Sequence, residues 1–196
     1  MTRQTIMHVA LRQFAKKGFE ATTLSTIGTE CAMKKQSIYS HFTSKDALFL
    51  EIYDEALKNE IAYIDMWISR HEENHLKTLL PMFVEEYLSR HLLDDGMTFF
   101  YRFAFYAPEQ FKTRIEVGTE QFISHLEAQF IALFKRHMEQ LTSTSSPEAC
   151  ALHYLTLFDG LIVGCLYDSP KRYIQRKSAA LDLFIHAFVK DDLLDD

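Results

Sequence analysis

The sequence predicts an all-α protein, with a three-helix amino-terminal domain over residues 1–46 and a larger helical domain over residues 47–196. Three observations carry this. Apolar residues recur at helical spacing along the chain, and neither strand-like alternation nor an internal repeat stands out. Only four Pro and six Gly punctuate 196 residues, so long helices are expected. Within residues 22–49, two short helical segments joined by a break of three or four residues have the proportions of a helix-turn-helix.

Taken in order, the first helix covers residues 3–17, with Ile6, Ala10 and Phe14 on one face beside Met7 and Leu11, and Gly18 ends it. Thr23 stands as an N-cap hydroxyl before Leu24, Ile27 and Cys31, opening a helix over residues 24–31. After Ala32-Met33-Lys34, a second short helix over residues 35–42 carries Ile38 and Phe42 four apart. That leaves Lys35, Gln36, Ser37, Tyr39, Ser40 and His41 to face outward, as a major-groove reader requires. Ser44 caps a long helix over residues 45–70, with Leu48, Ile52, Leu57, Ile61, Ile64 and Ile68 among its apolar positions.

A polar turn at residues 71–75 precedes a helix over 77–93, and Asp94-Asp95-Gly96 breaks the chain. Residues 97–106 are dense in aromatics. Ala107-Pro108-Glu109 restarts a helical stretch to about residue 140, with Gly118 as its candidate break. A Ser/Thr loop at 142–147 leads into a helix over 147–167; Ser169-Pro170 interrupts, and the last helix covers 173–189. The acidic tail, Asp191 to Asp196, is expected to fray.

The net charge of −6 is unevenly spread. Residues 1–50 hold seven basic and three acidic side chains, a formal +4; the rest holds fourteen against twenty-four, or −10. A basic head on an acidic body suits a dimeric DNA binder. Cys31, Cys150 and Cys165 are too few and wrongly spaced for a disulfide framework or zinc site, and read as small buried apolar residues. No amino-terminal hydrophobic signal stretch and no apolar run of spanning length stand out, so a cytoplasmic location without membrane contact is the expectation.

The segment from Ala10 to Phe49 resembles the amino-terminal domain of TetR-type repressors. The strings A-L-R-Q-F-A-K-K-G-F-E-A-T-T-L and I-Y-S-H-F-x-S-K-D-A-L carry the resemblance, through Phe14, Ala15, Gly18, Phe19, Thr22, Thr23, Ile27, Tyr39, Phe42, Lys45 and Leu48. It implies that Lys35, Gln36, Ser37 and Ser40 face the groove, while Thr22, Thr23, Tyr39, His41 and Lys45 contact the DNA backbone. Two positions depart from the family pattern. Ala32 stands where it has the turn glycine, which costs strain if φ is positive. Lys34 replaces the capping serine; it cannot accept from the helix N-terminus, but it can meet a phosphate.

The aromatic density at residues 97–111 reads either as core or as a ligand pocket. The resemblance implies an effector-binding domain, with Tyr63, Trp67, Phe83, Glu86, Phe100, Tyr101, Phe103, Phe122 and His125 as candidate lining for a small apolar or aromatic molecule. The last two helices are apolar on more than one face, and Gly160 and Gly164 would admit a close neighbour. Leu155, Phe158, Leu161, Ile162, Phe184 and Phe188 are therefore candidates for a homodimer interface, as in the family. A ligand among the helices of residues 75–140 would then push the helix of residues 45–70 and reorient the heads.

Catalytic and metal readings are weaker. His71-Glu72-Glu73-Asn74-His75 matches the H-E-x-x-H string, but it sits in a polar junction with no third-ligand signature. No nucleophile arrangement or phosphate-binding glycine loop stands out, so neither enzyme, cofactor nor metal is expected. The expected function is a ligand-responsive transcriptional regulator on a pseudo-palindromic double-stranded operator. The alternative is a helical ligand-binding module without sequence-specific DNA binding.

Overall fold

The computed structural model describes residues 2–90, 93–142 and 145–190. Nine α-helices stand among them: α1 (Arg3–Ala21), α2 (Leu24–Glu30), α3 (Lys35–Tyr39), α4 (Lys45–His71), α5 (Leu76–Ser89), α6 (Asp95–Phe105), α7 (Lys112–Arg136), α8 (Pro147–Tyr167) and α9 (Pro170–Phe188). The acidic tail, and part of the Ser/Thr loop, lie outside the described residues. Packing groups the chain into two compact units, Met1–Ala62 with Arg90–Phe122, and Tyr63–Ser89 with Ile123–Asp196.

In the first unit, α1 does not stop at Gly18. The residue adopts φ 82° and ψ 175°, a kink only glycine takes without strain, and helix resumes to Ala21. Two cations hold the carbonyls around the kink. Arg102 of α6 donates to the Ala15 carbonyl at 3.2 Å, and Lys45 donates to those of Phe19 (2.9 Å) and Thr22 (3.1 Å). A Cβ at Gly18 would meet the Arg102 guanidinium at 3.1 Å.

Phe49 sits at the centre of this unit's core, its ring within 5.5 Å of Phe14, Phe19, Phe99, Phe103 and Phe111. Much of the aromatic run is thus the seat of the amino-terminal helices. The Tyr53 hydroxyl donates to the Ile115 carbonyl at 3.0 Å, and α7 passes Gly118 unbroken. Glycine is there for room: a Cβ would stand 2.6 Å from the Tyr53 hydroxyl oxygen. Glu60, 2% exposed, receives Arg90 at 2.8 and 3.2 Å, and Arg90 also reaches Asp94, the N-cap of α6.

In the second unit, Phe83 packs against Trp67, Tyr87, Phe130 and Phe158. Tyr154 lies among Phe130, Phe134 and Phe184, and its hydroxyl donates to the Leu80 carbonyl at 2.6 Å. Burial pushes that phenol well above its ordinary range. The last helix begins three residues earlier than its apolar pattern suggests. Ser169 caps the Arg172 amide, and Pro170 occupies a first-turn position where its missing N–H costs nothing.

Helix α8 corrects the expectation that no apolar run reaches spanning length: among the described residues it alone has the length and composition, with mean hydropathy 1.6. Its Cys150, Ala151, Tyr154, Phe158, Leu161 and Ile162 are buried inside the unit. Leu152, Val163 and Tyr167 face outward.

Candidate nucleic-acid interface

The reading head is built by local capping and one tight turn. Thr23 and Thr26 form a reciprocal capping box: the Thr26 amide donates to the Thr23 hydroxyl (3.1 Å) and the Thr23 amide to the Thr26 hydroxyl (3.2 Å). At the far end, the Met33 amide donates to the Gly28 carbonyl at 2.8 Å and closes the turn. Ala32 takes φ 53° there, the left-handed conformation foreseen for the glycine it replaces. Gly28 is the glycine this turn requires, since a Cβ would lie 2.8 Å from the Met33 carbonyl. It had a legible signal, a glycine inside a helical pattern, that sequence reasoning passed over.

Helix α3 is short, and its N-cap Lys34 makes no side-chain cap. Ile38 and Phe42 are buried at 0% and 3% exposure, which turns the remaining side chains outward. Lys34, Lys35, Gln36, Tyr39 and Ser40 are exposed, while Ser37 and His41 are half-buried. The Ser40 hydroxyl donates to the Ser37 carbonyl at 2.7 Å, and the Lys35 ammonium stands 5.8 Å above the Tyr39 ring. A pocket of about 290 Å³ opens beside them, walled by Thr22, Thr23, Leu24, Lys35, Tyr39, Thr43, Ser44 and Lys45. Hydroxyl donors and ammonium groups around a small concavity suit a phosphate oxygen.

One assigned contact is corrected, and a second has a further role. Thr22 is fully buried, and its hydroxyl donates to the Gly18 carbonyl at 2.8 Å, so it holds the end of α1 instead of offering a side chain to DNA. Lys45 lines the pocket, but two of its N–H donors serve α1 carbonyls and its ammonium lies 3.9 Å over the Phe19 ring. These bonds also hold the end of α1. Arg102, unsuspected in this role, does the same from α6.

The candidate effector residues are divided between the two units. Phe100, Tyr101, Phe103 and Phe122 belong to the first unit; Tyr63, Trp67, Phe83, Glu86 and His125 belong to the second. Phe103 packs on Phe49, and Phe100 on Tyr53 and Phe122. The Trp67 indole N–H donates to Glu86 at 2.6 Å, and His125 pairs with Asp65 at 2.6 Å. Aromatic side chains fill one another's edges and faces here, so density along the chain became core.

Four of the six candidate interface residues are corrected likewise. Phe158, Leu161, Ile162 and Phe184 are at most 5% exposed within a single chain, covered by its own helices, and Leu155 and Phe188 are half-buried. The apolar side chains left outward on α8 and α9 are Leu152, Val163, Tyr167, Ile174 and Leu183. A Cβ on Gly160 would meet nothing within 4 Å, whereas Gly164 is crowded by Asp168, Tyr173 and Arg176. In the H-E-x-x-H string, His71 ends α4 and His75 lies beyond the turn, so the two imidazoles do not share a helical face.

A capped helix α2, a strained tight turn and the outward polar helix α3 make up a helix-turn-helix unit on an all-α body. Residues 6–52 match the profile of bacterial regulatory proteins of the tetR family. The transcriptional regulator YerO of Bacillus subtilis is 48% identical over 48 residues, 24% of this chain and 17% of YerO. IcaR of Staphylococcus epidermidis, the negative regulator of a biofilm operon, is 32% identical over 74 residues, 37% of this chain and 38% of IcaR. The chain thus matches less than two-fifths of these relatives' lengths. SmeT, repressor of a Stenotrophomonas maltophilia multidrug efflux pump, shares the fold with a TM-score of 0.67 and 17% identity, over 98% of this chain and 92% of its own. SmeT also has a solved complex with triclosan.

Proposed function

We propose that this protein is a transcriptional repressor that binds a pseudo-palindromic operator as a homodimer and is released by a small molecule. The outward helix α3, with its adjoining hydroxyl- and ammonium-lined pocket, carries the reading. Lys35, Gln36, Ser37 and Ser40 face base edges, where Gln36 can pair with adenine and Lys35 with guanine. Lys34, Thr23, Tyr39 and His41 approach phosphates. Two such helices read successive major grooves only when a dimer sets them about 34–36 Å apart. The outward residues of α8 and α9, with open Gly160 between Leu152 and Val163, supply the second copy's seat. A small-molecule ligand is supported by SmeT, which shares the fold and has a solved complex with triclosan.

The test is fluorescence anisotropy on the DNA flanking the protein's own gene, across a salt series. Saturable, competitor-resistant binding that falls steeply with salt is expected. The double variant Lys35→Ala/Tyr39→Ala should weaken it at least tenfold while leaving the melting temperature unchanged. Equal affinity for this duplex, for random duplexes and for sites selected from a random pool would refute sequence-specific reading.

A further inference from the structure

The first unit contains a half-enclosed cavity of about 430 Å³ that the DNA-reading function does not use. Its volume is in the range of small-molecule sites. Met7 and Leu11 of α1 and Ile52 and Ala56 of α4 give it an apolar floor. Glu55, Glu60, Asp94 and Asp95 all line it, and among the described residues no Lys or Arg does. Arg90, outside the lining, pairs with Glu60 and Asp94. Glu55 and Asp95 enter no ion pair among the described residues, so their charge is left for an occupant.

From this cavity we infer a second binding site, for a small organic monocation with an apolar body, a quaternary or protonated amine. An apolar floor favours burial of hydrocarbon. Carboxylates at the rim of a partly desolvated cavity attract a cation more strongly than they would in water. The same field rejects anions, and a neutral molecule gains only the floor. The occupant would touch α1 and α4 together, the helices that seat the reading head. The site stands on its cavity and charges, independently of operator binding.

The experiment is calorimetric titration of the full-length protein with benzyltriethylammonium, and with 4-tert-butylbenzenesulfonate as the anionic counterpart, at low salt. Saturable binding of the cation alone is expected. Glu55→Gln/Asp95→Asn should weaken it at least tenfold, and Asn59→Trp, at the rim, should block it. The charge variant alters exposed or rim groups and keeps the fold, which its melting curve checks, so the result is readable even where Asn59→Trp unfolds the chain. No binding, equal binding of both ions, or unchanged affinity in the charge variant would overturn the site. Anisotropy on DNA without either ion reads the operator-binding proposal separately.

Discussion

Ala32 and Lys34 bracket the turn between α2 and α3, and each trades stability for position. At φ 53°, Ala32 carries the left-handed strain that L-residues pay about 1–2 kcal/mol for. Glycine would remove it but cost about 0.5–1 kcal/mol of backbone entropy. Ala32→Gly should therefore stabilise the protein by about 0.5–1 kcal/mol, seen as a higher urea midpoint with an unchanged slope. Lys34 leaves α3 without a side-chain cap. Lys34→Ser should add about 1 kcal/mol of stability and at the same time weaken DNA binding, lowering the salt slope by about 1. Opposite movement of the two readouts separates a phosphate contact from an ordinary surface lysine.

Between elements, single side chains hold the small head together. Glu30 of α2 receives the Gln13 amide and the Arg12 guanidinium of α1. The Gln13 hydrogen bond, then Arg12, hold its carboxyl below the ordinary value of 4.5. A depressed carboxylate contributes stability that is present above its unfolded pKa and is lost as pH falls through the folded one. Thermal melts should accordingly lose stability below about pH 4.5, and Glu30→Gln should be less stable at pH 7 with a flatter dependence below it. Equal slopes for both proteins would remove Glu30 from the account. Gly118 is the second case. Gly118→Ala pushes a methyl to 2.6 Å from the Tyr53 hydroxyl, which donates to Ile115. Despite alanine's better helix propensity, the variant should lose about 1–3 kcal/mol by overpacking, measured as a lower melting temperature.

For the whole molecule, charge and exposed apolar surface point to assembly. The acidic excess beyond residue 50 keeps nonspecific DNA contact to the basic head. Leu183, 70% exposed on α9, and Leu152, 51% exposed on α8, lie on the surface proposed to meet a second copy. Leu183→Glu should convert the dimer to monomer in sedimentation velocity and abolish tight operator binding, because one head alone contacts a half-site. Phe184→Glu, by contrast, should unfold the second unit, since Phe184 packs on Tyr154 and Phe134 inside the chain. A Leu183→Glu protein that stays dimeric would move the interface elsewhere.

What was legible in the sequence was local. Thr23 as a cap and the outward set on α3 follow from hydrogen bonds and spacings within a few residues; Ile38 and Phe42, four apart, tell which face is hidden, and the strain at Ala32 was flagged only through the resemblance, on the condition of a positive φ. The TetR-type pattern, read from Ala10 to Phe49 and matched by the family profile over residues 6–52, was legible for the same reason, as a string of such local requirements. Tertiary structure alone decided the rest. Thr22 and Lys45 lie in a DNA-contact pattern, yet they serve α1, because the chain end they hold approaches them only on folding. The aromatics at 99–111 and the two-faced apolar helices α8 and α9 announce burial but not against what. Periodicity measures how much of a helix is apolar; only the packed neighbours, distant in sequence, determine that Phe103 and Phe158 are core while Leu152 and Leu183 remain outside.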